Sequence, residues 1–392
     1  MTSPSSALKW VLPACTWPVL IYLALHQSQN PTVLDRWSFG YAMLLALWAF
    51  LTLLATACLA TPFRRVLIAR RTAFGSLIAG LILAVFVGEV ALRTIDPLGF
   101  AYYGEMQRYI HMRQTDEQLV YTQPASTEVV LDGTRVRYNS LGLRGPELTA
   151  KLPAEKRVLF LGDSVVFGWG VKEEYLFVNG VARRLEESTG HAWSGINAGV
   201  CSYNTEQEEL YLTTRGFKLD PDLIVLVLID NDVLTYSDQW KSQAAAPSPI
   251  RRLQKAMRTS FLYRLVHHAL DNGLGGVALE GAERSVVPGT PGWEDNMQAL
   301  TRLTKICHAK DIPLAIFHFR WATGTWTDTF LESAREHAGP LPIIDSSSWF
   351  EDAPLTRWVN SATDSHPNAQ AHDRTAKKMV AVIEEQGLLE GE

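Results

Sequence analysis

Four short segments of this 392-residue chain carry residue types suited to nucleophilic chemistry. The first is Leu161-Gly162-Asp163-Ser164, followed by Val165-Val166-Phe167-Gly168-Trp169-Gly170-Val171. It closes the apolar run Arg157–Leu161, which reads as a buried strand. A serine there stands at the rim of a sheet. The helix expected behind it offers unpaired backbone N–H groups and a positive dipole end. Gly-Asp-Ser is also a common turn, so alone it decides little. The second segment is Asn197-Ala198-Gly199-Val200-Cys201-Ser202-Tyr203. It lies between a strand and a helix, where backbone N–H groups can donate to an oxyanion. An ordinary strand–helix turn has the same look.

The third segment, Asp230-Asn231-Asp232, directly follows Leu223–Ile229. An Asn at a strand end can donate its side-chain N–H to developing negative charge. Its two acids also suit a hard cation. No second acidic cluster has ligand spacing, so a metal-free site is expected. The fourth is Asp364-Ser365-His366-Pro367-Asn368, with His372 beyond it. A His can take a serine proton, and an Asp can orient the His and stabilise its charged form.

These segments need a scaffold that brings them together. Leu223–Ile229 is wholly apolar, as a central parallel strand covered on both faces should be. Further strands are expected at Arg157–Leu161, Trp193–Asn197, Ile312–Phe319 and Leu341–Ile344. Helices are expected at 178–189, Glu206–Gly216, Met297–Ala309, Thr329–His337 and Ala369–Glu385. This alternation predicts a parallel sheet with helices on both faces. The first three chemical segments then fall at carboxyl ends of strands, where open α/β sheets build their sites. Ahead of them, 96–150 reads as a lead-in with a helix near 104–119 and a hairpin turning at Asp132-Gly133. Residues 237–292 read as an insertion or lid with a basic helix, Ile250–Leu270.

Taken together and in this order, the four blocks resemble the SGNH/GDSL hydrolases over about residues 135–388. Asn139-Ser-Leu-Gly-Leu-Arg-Gly-Pro-Glu147 is similar to a lead-in of bacterial membrane-anchored members. The resemblance implies a flavodoxin-like three-layer α/β/α fold and a cofactor-free triad of Ser164, His366 and Asp364. It implies oxyanion donors at Ser164, at Ser202 and Gly199 of the second block, and at Asn231. Asp163, Trp169, Tyr203 and Asp232 are expected to bind substrate, with Trp169, Tyr203, Trp240 and Trp321 as a sugar-stacking groove or, alternatively, as buried aromatics. Three departures stand out. Ser202 and Ile229 occupy positions that are usually Gly. The family's Asp lies three residues before the His, where this chain has Thr363; Asp364 lies two before. Some members use a Ser–His dyad assisted by a backbone carbonyl.

The N-terminal quarter is different in character. Apolar runs at Trp10–His26, Trp37–Thr61 and Phe74–Leu92 are read as about three membrane helices within 1–95, against a need of roughly 20 residues per span. The first run, broken by Pro13 and Pro18, also allows a cleaved signal peptide. Arg64, Arg65, Arg70 and Arg71 crowd the loop before the third run, which keeps that loop cytoplasmic and puts everything after residue 95 outside. Glu89 and Arg93 are read as a helix-end pair near the interface, with an intramembrane polar site as the alternative.

A net charge of −5 argues against a nucleic-acid partner. The four cysteines have neither zinc nor disulfide-framework spacing. The combined expectation is an inner-membrane, multi-pass serine esterase with residues 151–392 as its periplasmic hydrolase domain. Its substrate would be O-acyl, foremost O-acetyl, esters of an envelope glycan or lipid, beside the bilayer and a membrane partner protein. An O-acyltransferase shares the chemistry up to the acyl-enzyme. A non-catalytic glycan-binding or scaffold protein is the reading from another class.

Overall fold

The computed structural model describes residues 4–25, 39–57, 69–233, 259–272, 287–321 and 325–389, with a few single positions between them. The chain forms two compact units, 1–97 with 248–276, and 98–247 with 277–392.

In the first unit, α1 (Pro4–Leu25), α2 (Phe39–Ala57) and α3 (Arg71–Ile95) are joined by a helix from far along the chain, Phe261–Asn272. Among the described residues, α3 alone is long and apolar enough to cross a membrane; α1 and α2 hold the shorter apolar stretches Pro13–Leu25 and Leu45–Ala57. Of the three expected spans, one is a candidate by length and composition among the described residues. Glu89 on α3 pairs with Arg93 at 2.8 Å, as expected of a helix-end pair. It does more than that. Its carboxylate also accepts from the backbone N–H of Phe261 (3.0 Å) and Leu262 (2.9 Å) and from Ser260 Oγ (2.8 Å). Glu89 therefore caps the helix Phe261–Asn272 from a neighbouring helix, satisfying N–H groups that a helix start leaves open. Arg93 donates to Thr259 O at 2.6 Å and lies 4.9 Å from the Phe261 ring centre.

The second unit opens with α4 (Tyr102–Met112), which ends sooner than the sequence predicts because 114–116 enter a short strand pair, β1 (Gln114–Asp116) and β2 (Val120–Thr122). β3 (Thr127–Leu131) and β4 (Thr134–Tyr138) form the expected hairpin. Asp132 and Gly133 both take positive φ, +47° and +68°, as a two-residue turn of this hand requires.

The core sheet holds β5 (Glu155–Leu161), β6 (Ala192–Asn197), β7 (Leu223–Leu228), β8 (Leu314–His318) and β9 (Ile343–Asp345), all parallel, in the order β6-β5-β7-β8-β9. This is a doubly wound flavodoxin-like order. Between the strands come α5 (Ser164–Phe167), α6 (Phe177–Thr189), α7 (Thr205–Thr214), α8 (the Phe261–Asn272 helix), α9 (Pro291–Ala309) and α10 (Thr325–Ala338); α11 (Ala369–Glu385) follows β9. α9 starts six residues before the predicted Met297, with Pro291 in its first turn, where a missing N–H costs nothing. One sheet face packs Leu159, Ile224, Leu226 and Ile316 against α7, α9 and α10. The other packs Val158, Phe160, Val225 and Phe317 against α6 and α11. Burial on both faces explains why β7 reads as unbroken apolar sequence. Cys201 and Cys307 are buried and free.

Candidate active site

β5 is the middle of three neighbouring strands, and their register aligns the first three chemical segments at one sheet edge. Phe160 pairs with Asn197 of β6, and Leu161 pairs with Leu226 of β7. After Leu161 the chain turns at Gly162, where a Cβ would lie 2.3 Å from Val166 Cγ2, so only glycine fits. Asp163 Oδ1 then accepts from Val165 N at 2.8 Å, starting a single helical turn that Gly168 ends at φ +80°. The helix predicted behind Ser164 is thus only four residues long. Arg144 of the lead-in fixes its far end. Buried at 3% exposure, it donates to the carbonyls of Phe167 (2.7 Å), Gly168 (2.6 Å) and Val171. Burial lowers its pKa to about 10, and it stays charged at neutral pH. Arg144 lay in the Asn139–Glu147 motif, but nothing in one sequence links it to the nucleophile turn.

Ser164 Oγ lies 2.8 Å from His366 Nε2, and His366 Nδ1 lies 2.5 Å from Asp364 Oδ1. Asp364 Oδ1 also accepts from the backbone N–H of His366 at 3.0 Å. The two-residue spacing thus still brings a carboxylate oxygen to Nδ1 of His366. Thr363, at the family's usual position, is turned away and donates to Leu98 O (2.9 Å) and Gly99 O (2.7 Å). Asn360 is a further residue that the sequence did not single out. Its amide donates to Asp364 Oδ2 at 3.0 Å and to Trp169 O at 2.9 Å, which holds the carboxylate in place. Trp321 Nε1 donates to Ser365 O at 2.9 Å.

The second segment, Asn197–Tyr203, allows a full accounting of backbone donors. Ala198 N–H donates to Phe160 O, Val200 N–H to Gly162 O and Tyr203 N–H to Val200 O. Gly199 N–H donates to Asn197 Oδ1 (3.0 Å), and Cys201 N–H to Tyr109 OH (3.1 Å). Gly199 is therefore not an oxyanion donor, which corrects that expectation. Its role is close packing: a Cβ would lie 2.2 Å from Phe167 N. Among the described residues Ser202 N–H has no protein acceptor. Ser202 holds φ +67°, the left-handed region where glycine is at ease. That is the physical reason for glycine being usual there.

In the third segment, Asp230 Oδ1 lies 2.7 Å from Nε2 of the fully buried His318, and Asp232 Oδ2 accepts from Ile229 N at 2.9 Å. Asn231 is half-buried, and its Oδ1 has no partner among the described residues.

Four expected substrate contacts are corrected. Asp163 and Asp232 are 1% and 0% exposed and serve internal bonds. Trp169 and Tyr203, at 1% and 2%, are packed in aromatic clusters and offer no ring face to a sugar. Trp240 lies outside the described residues. Asp163 instead meets the nucleophile: its Oδ2 is 2.9 Å from Ser164 Oγ. The single Ser164 proton can serve Asp163 or His366, not both at once. Burial raises the pKa of Asp163, and burial with mutual repulsion raises those of Glu208 and Asp232 further. His372 Nδ1 accepts from Phe177 N (3.0 Å), and burial with nearby Arg144 and His366 lowers its pKa to about 3, so it is a neutral packing residue. Among the described residues no group of three or more His, Cys, Asp or Glu is arranged to hold a metal ion.

A serine hydroxyl against an imidazole, backed by a carboxylate, is an arrangement for acyl transfer. Residues 160–374 match the GDSL-like Lipase/Acylhydrolase family. The chain belongs to this family. It is an ester hydrolase. Its fold is similar to that of a lipase from a goat rumen metagenome, at 17% identity, covering 58% of this chain and 96% of that one with a TM-score of 0.37. It is also similar to a lipase/acylhydrolase from Enterococcus faecalis (15% identity, 59% and 96% covered, TM-score 0.37). A third is a two-domain esterase active on acetylated mannans (13% identity, 59% and 49% covered, TM-score 0.38). No curated protein matches the chain.

Proposed function

We propose that this GDSL-like hydrolase is a membrane-anchored serine esterase that removes O-acyl, foremost O-acetyl, groups from an envelope glycan or lipid outside the cytoplasmic membrane. The observation that carries the serine mechanism is the continuous line from Ser164 Oγ through His366 to Asp364, at 2.8 and 2.5 Å. Ser164 Oγ attacks the acyl carbonyl as His366 Nε2 takes its proton. Asp364 holds Nδ1–H and stabilises the imidazolium. Ser202 N–H and the Asn231 side-chain amide donate to the oxyanion. His366 returns the proton to the departing alkoxide, leaving an acyl-Ser164 ester. Water, deprotonated by His366, then cleaves that ester and frees the acid.

The anchor reading rests on α3, which is 25 residues long, and on Arg64, Arg65 and Arg70 before it with Arg71 at its start, which favour a cytoplasmic loop and an outside catalytic unit. An active unit tethered there meets esters of the envelope rather than of the cytoplasm.

The test uses the full-length protein in detergent with p-nitrophenyl acetate, beside Ser164→Ala and His366→Ala. Each variant should lose at least ~10³-fold in kcat. Wild-type rates in Ser164→Ala would remove the serine mechanism. Acetate release from an acetylated glycan, compared with fatty-acid release from phospholipid vesicles, then separates the substrate classes.

A further inference from the structure

We propose that the segment 98–146, which precedes the family-matched region, is a working part of the active site, with Tyr121, Tyr109 and Gln123 as positioning residues for the oxyanion loop. The proposal rests on the serine-esterase reading above, in which Ser202 N–H faces the oxyanion.

The loop Gly199–Ser202 is held by this segment at four points. Gln123 Nε2 donates to Gly199 O at 2.7 Å. Tyr109 OH accepts the Cys201 N–H at 3.1 Å. Tyr121 OH lies 3.2 Å from Cys201 O and 2.8 Å from Ser202 O. Tyr203 OH, just past the loop, donates to Tyr121 O at 2.6 Å. Tyr109, Tyr121 and Gln123 are 1%, 5% and 4% exposed, so water does not compete for these bonds.

Two features of the loop make such a clamp necessary. Ser202 sits at φ +67°, a conformation that a non-glycine residue keeps only where its surroundings over-determine it. Cys201 N–H and Ser202 N–H are also consecutive donors on one turn. With Cys201 N–H bound to Tyr109, the free donor is Ser202. Without that bond the peptide could rotate and aim a different N–H. The same segment reaches the other half of the site. Leu98 O and Gly99 O accept from Thr363, beside Asp364, and the Tyr102 ring lies 5.7 Å from the His366 ring. One segment therefore braces both the oxyanion loop and the His-bearing turn.

The experiment compares Tyr121→Phe and Tyr109→Phe with wild type in the full-length protein. Each keeps its ring in place and removes only the hydroxyl. Hydrolysis of p-nitrophenyl acetate is measured with inhibition by phenylboronic acid, whose serine adduct carries an oxyanion. Deleting an oxyanion donor outright costs about 10²–10³ in kcat; misaiming one should cost about tenfold. The expected result is that kcat falls by this factor, KM stays within twofold, and boronate affinity falls in parallel with kcat. A purely structural role would lower the melting temperature and leave the kcat-to-KM split and boronate affinity unchanged. A folded Tyr121→Phe or Tyr109→Phe with wild-type kcat and boronate affinity overturns the proposal. Ser164→Ala serves as the internal control. If it is inactive while the tyrosine variants are unaffected, the clamp fails and the serine mechanism stands; if it is active, both fail.

Discussion

Ser202 shows how one side chain records a conflict between backbone and sequence. At φ +67° it carries a left-handed penalty of about 1–2 kcal/mol. Glycine would remove that penalty but add about 0.5–1 kcal/mol of unfolded-chain entropy. Ser202→Gly should therefore stabilise the protein by up to about 1 kcal/mol, read as a higher denaturant midpoint. A lower midpoint would mean that the serine side chain makes a contact worth more than its strain. The N–H remains in the variant, so activity should survive. Asp364 teaches a related lesson. Its spacing from His366 looked wrong by one residue. The turn answers this by letting one carboxylate oxygen meet both Nδ1 and the backbone N–H of His366.

Among elements, α8 covers the second half of the basic helix expected at Ile250–Leu270, and what the sequence did not foretell is where it packs. Its sequence interrupts the hydrolase domain between β7 and β8, yet it packs in the N-terminal unit beside α3. Glu89 supplies its cap, with two backbone and one side-chain donors. Removing a capping side chain costs about 0.5–2 kcal/mol. Glu89→Ala should therefore raise hydrogen exchange across Phe261–Asn272 while β5 to β9 keep their protection. Unchanged exchange in that helix would mean that its packing alone holds it. A second element-scale result is the lead-in. Arg144, Tyr109, Tyr121 and Gln123 all lie on it, and all reach into the nucleophile turn or the oxyanion loop. A hydrolase domain cut at residue 151 would lose these bonds.

At the scale of the whole molecule, pH acts on stability through a buried group outside the Ser164–His366–Asp364 line. His372, on α11, is fully buried with its ring stacked on Phe177, and its pKa falls to about 3. The unfolded chain takes up a proton near pH 6.5 that the folded protein refuses. Unfolding is then favoured as pH falls below 6.5, and stability is fully present only above it. Between pH 7.5 and pH 5 the loss from this group is about 2 kcal/mol. His372→Leu should flatten the dependence of the melting temperature on pH in that range, whatever its effect at pH 7.5. An unchanged slope would assign the acid limb to other groups.

The sequence alone determined whatever is local or periodic. The apolar runs of β5, β7 and β8, the helices between them, the Asp132-Gly133 turn and the family blocks around Ser164 and His366 follow from side-chain pattern and turn chemistry, which neighbours in the chain impose. Tertiary structure decided whatever depends on residues far apart in sequence. It buried Trp169 and Tyr203, deciding between a sugar-stacking groove and buried aromatics. It tied Gly199 N–H to Asn197 and left Ser202 N–H without an acceptor among the described residues. It brought Glu89 to a helix that starts 172 residues further on and Arg144 to the nucleophile turn. Hydrogen-bond partners and burial are properties of the packed whole, because a donor's availability depends on every acceptor within reach, and reach is set only once the layers close.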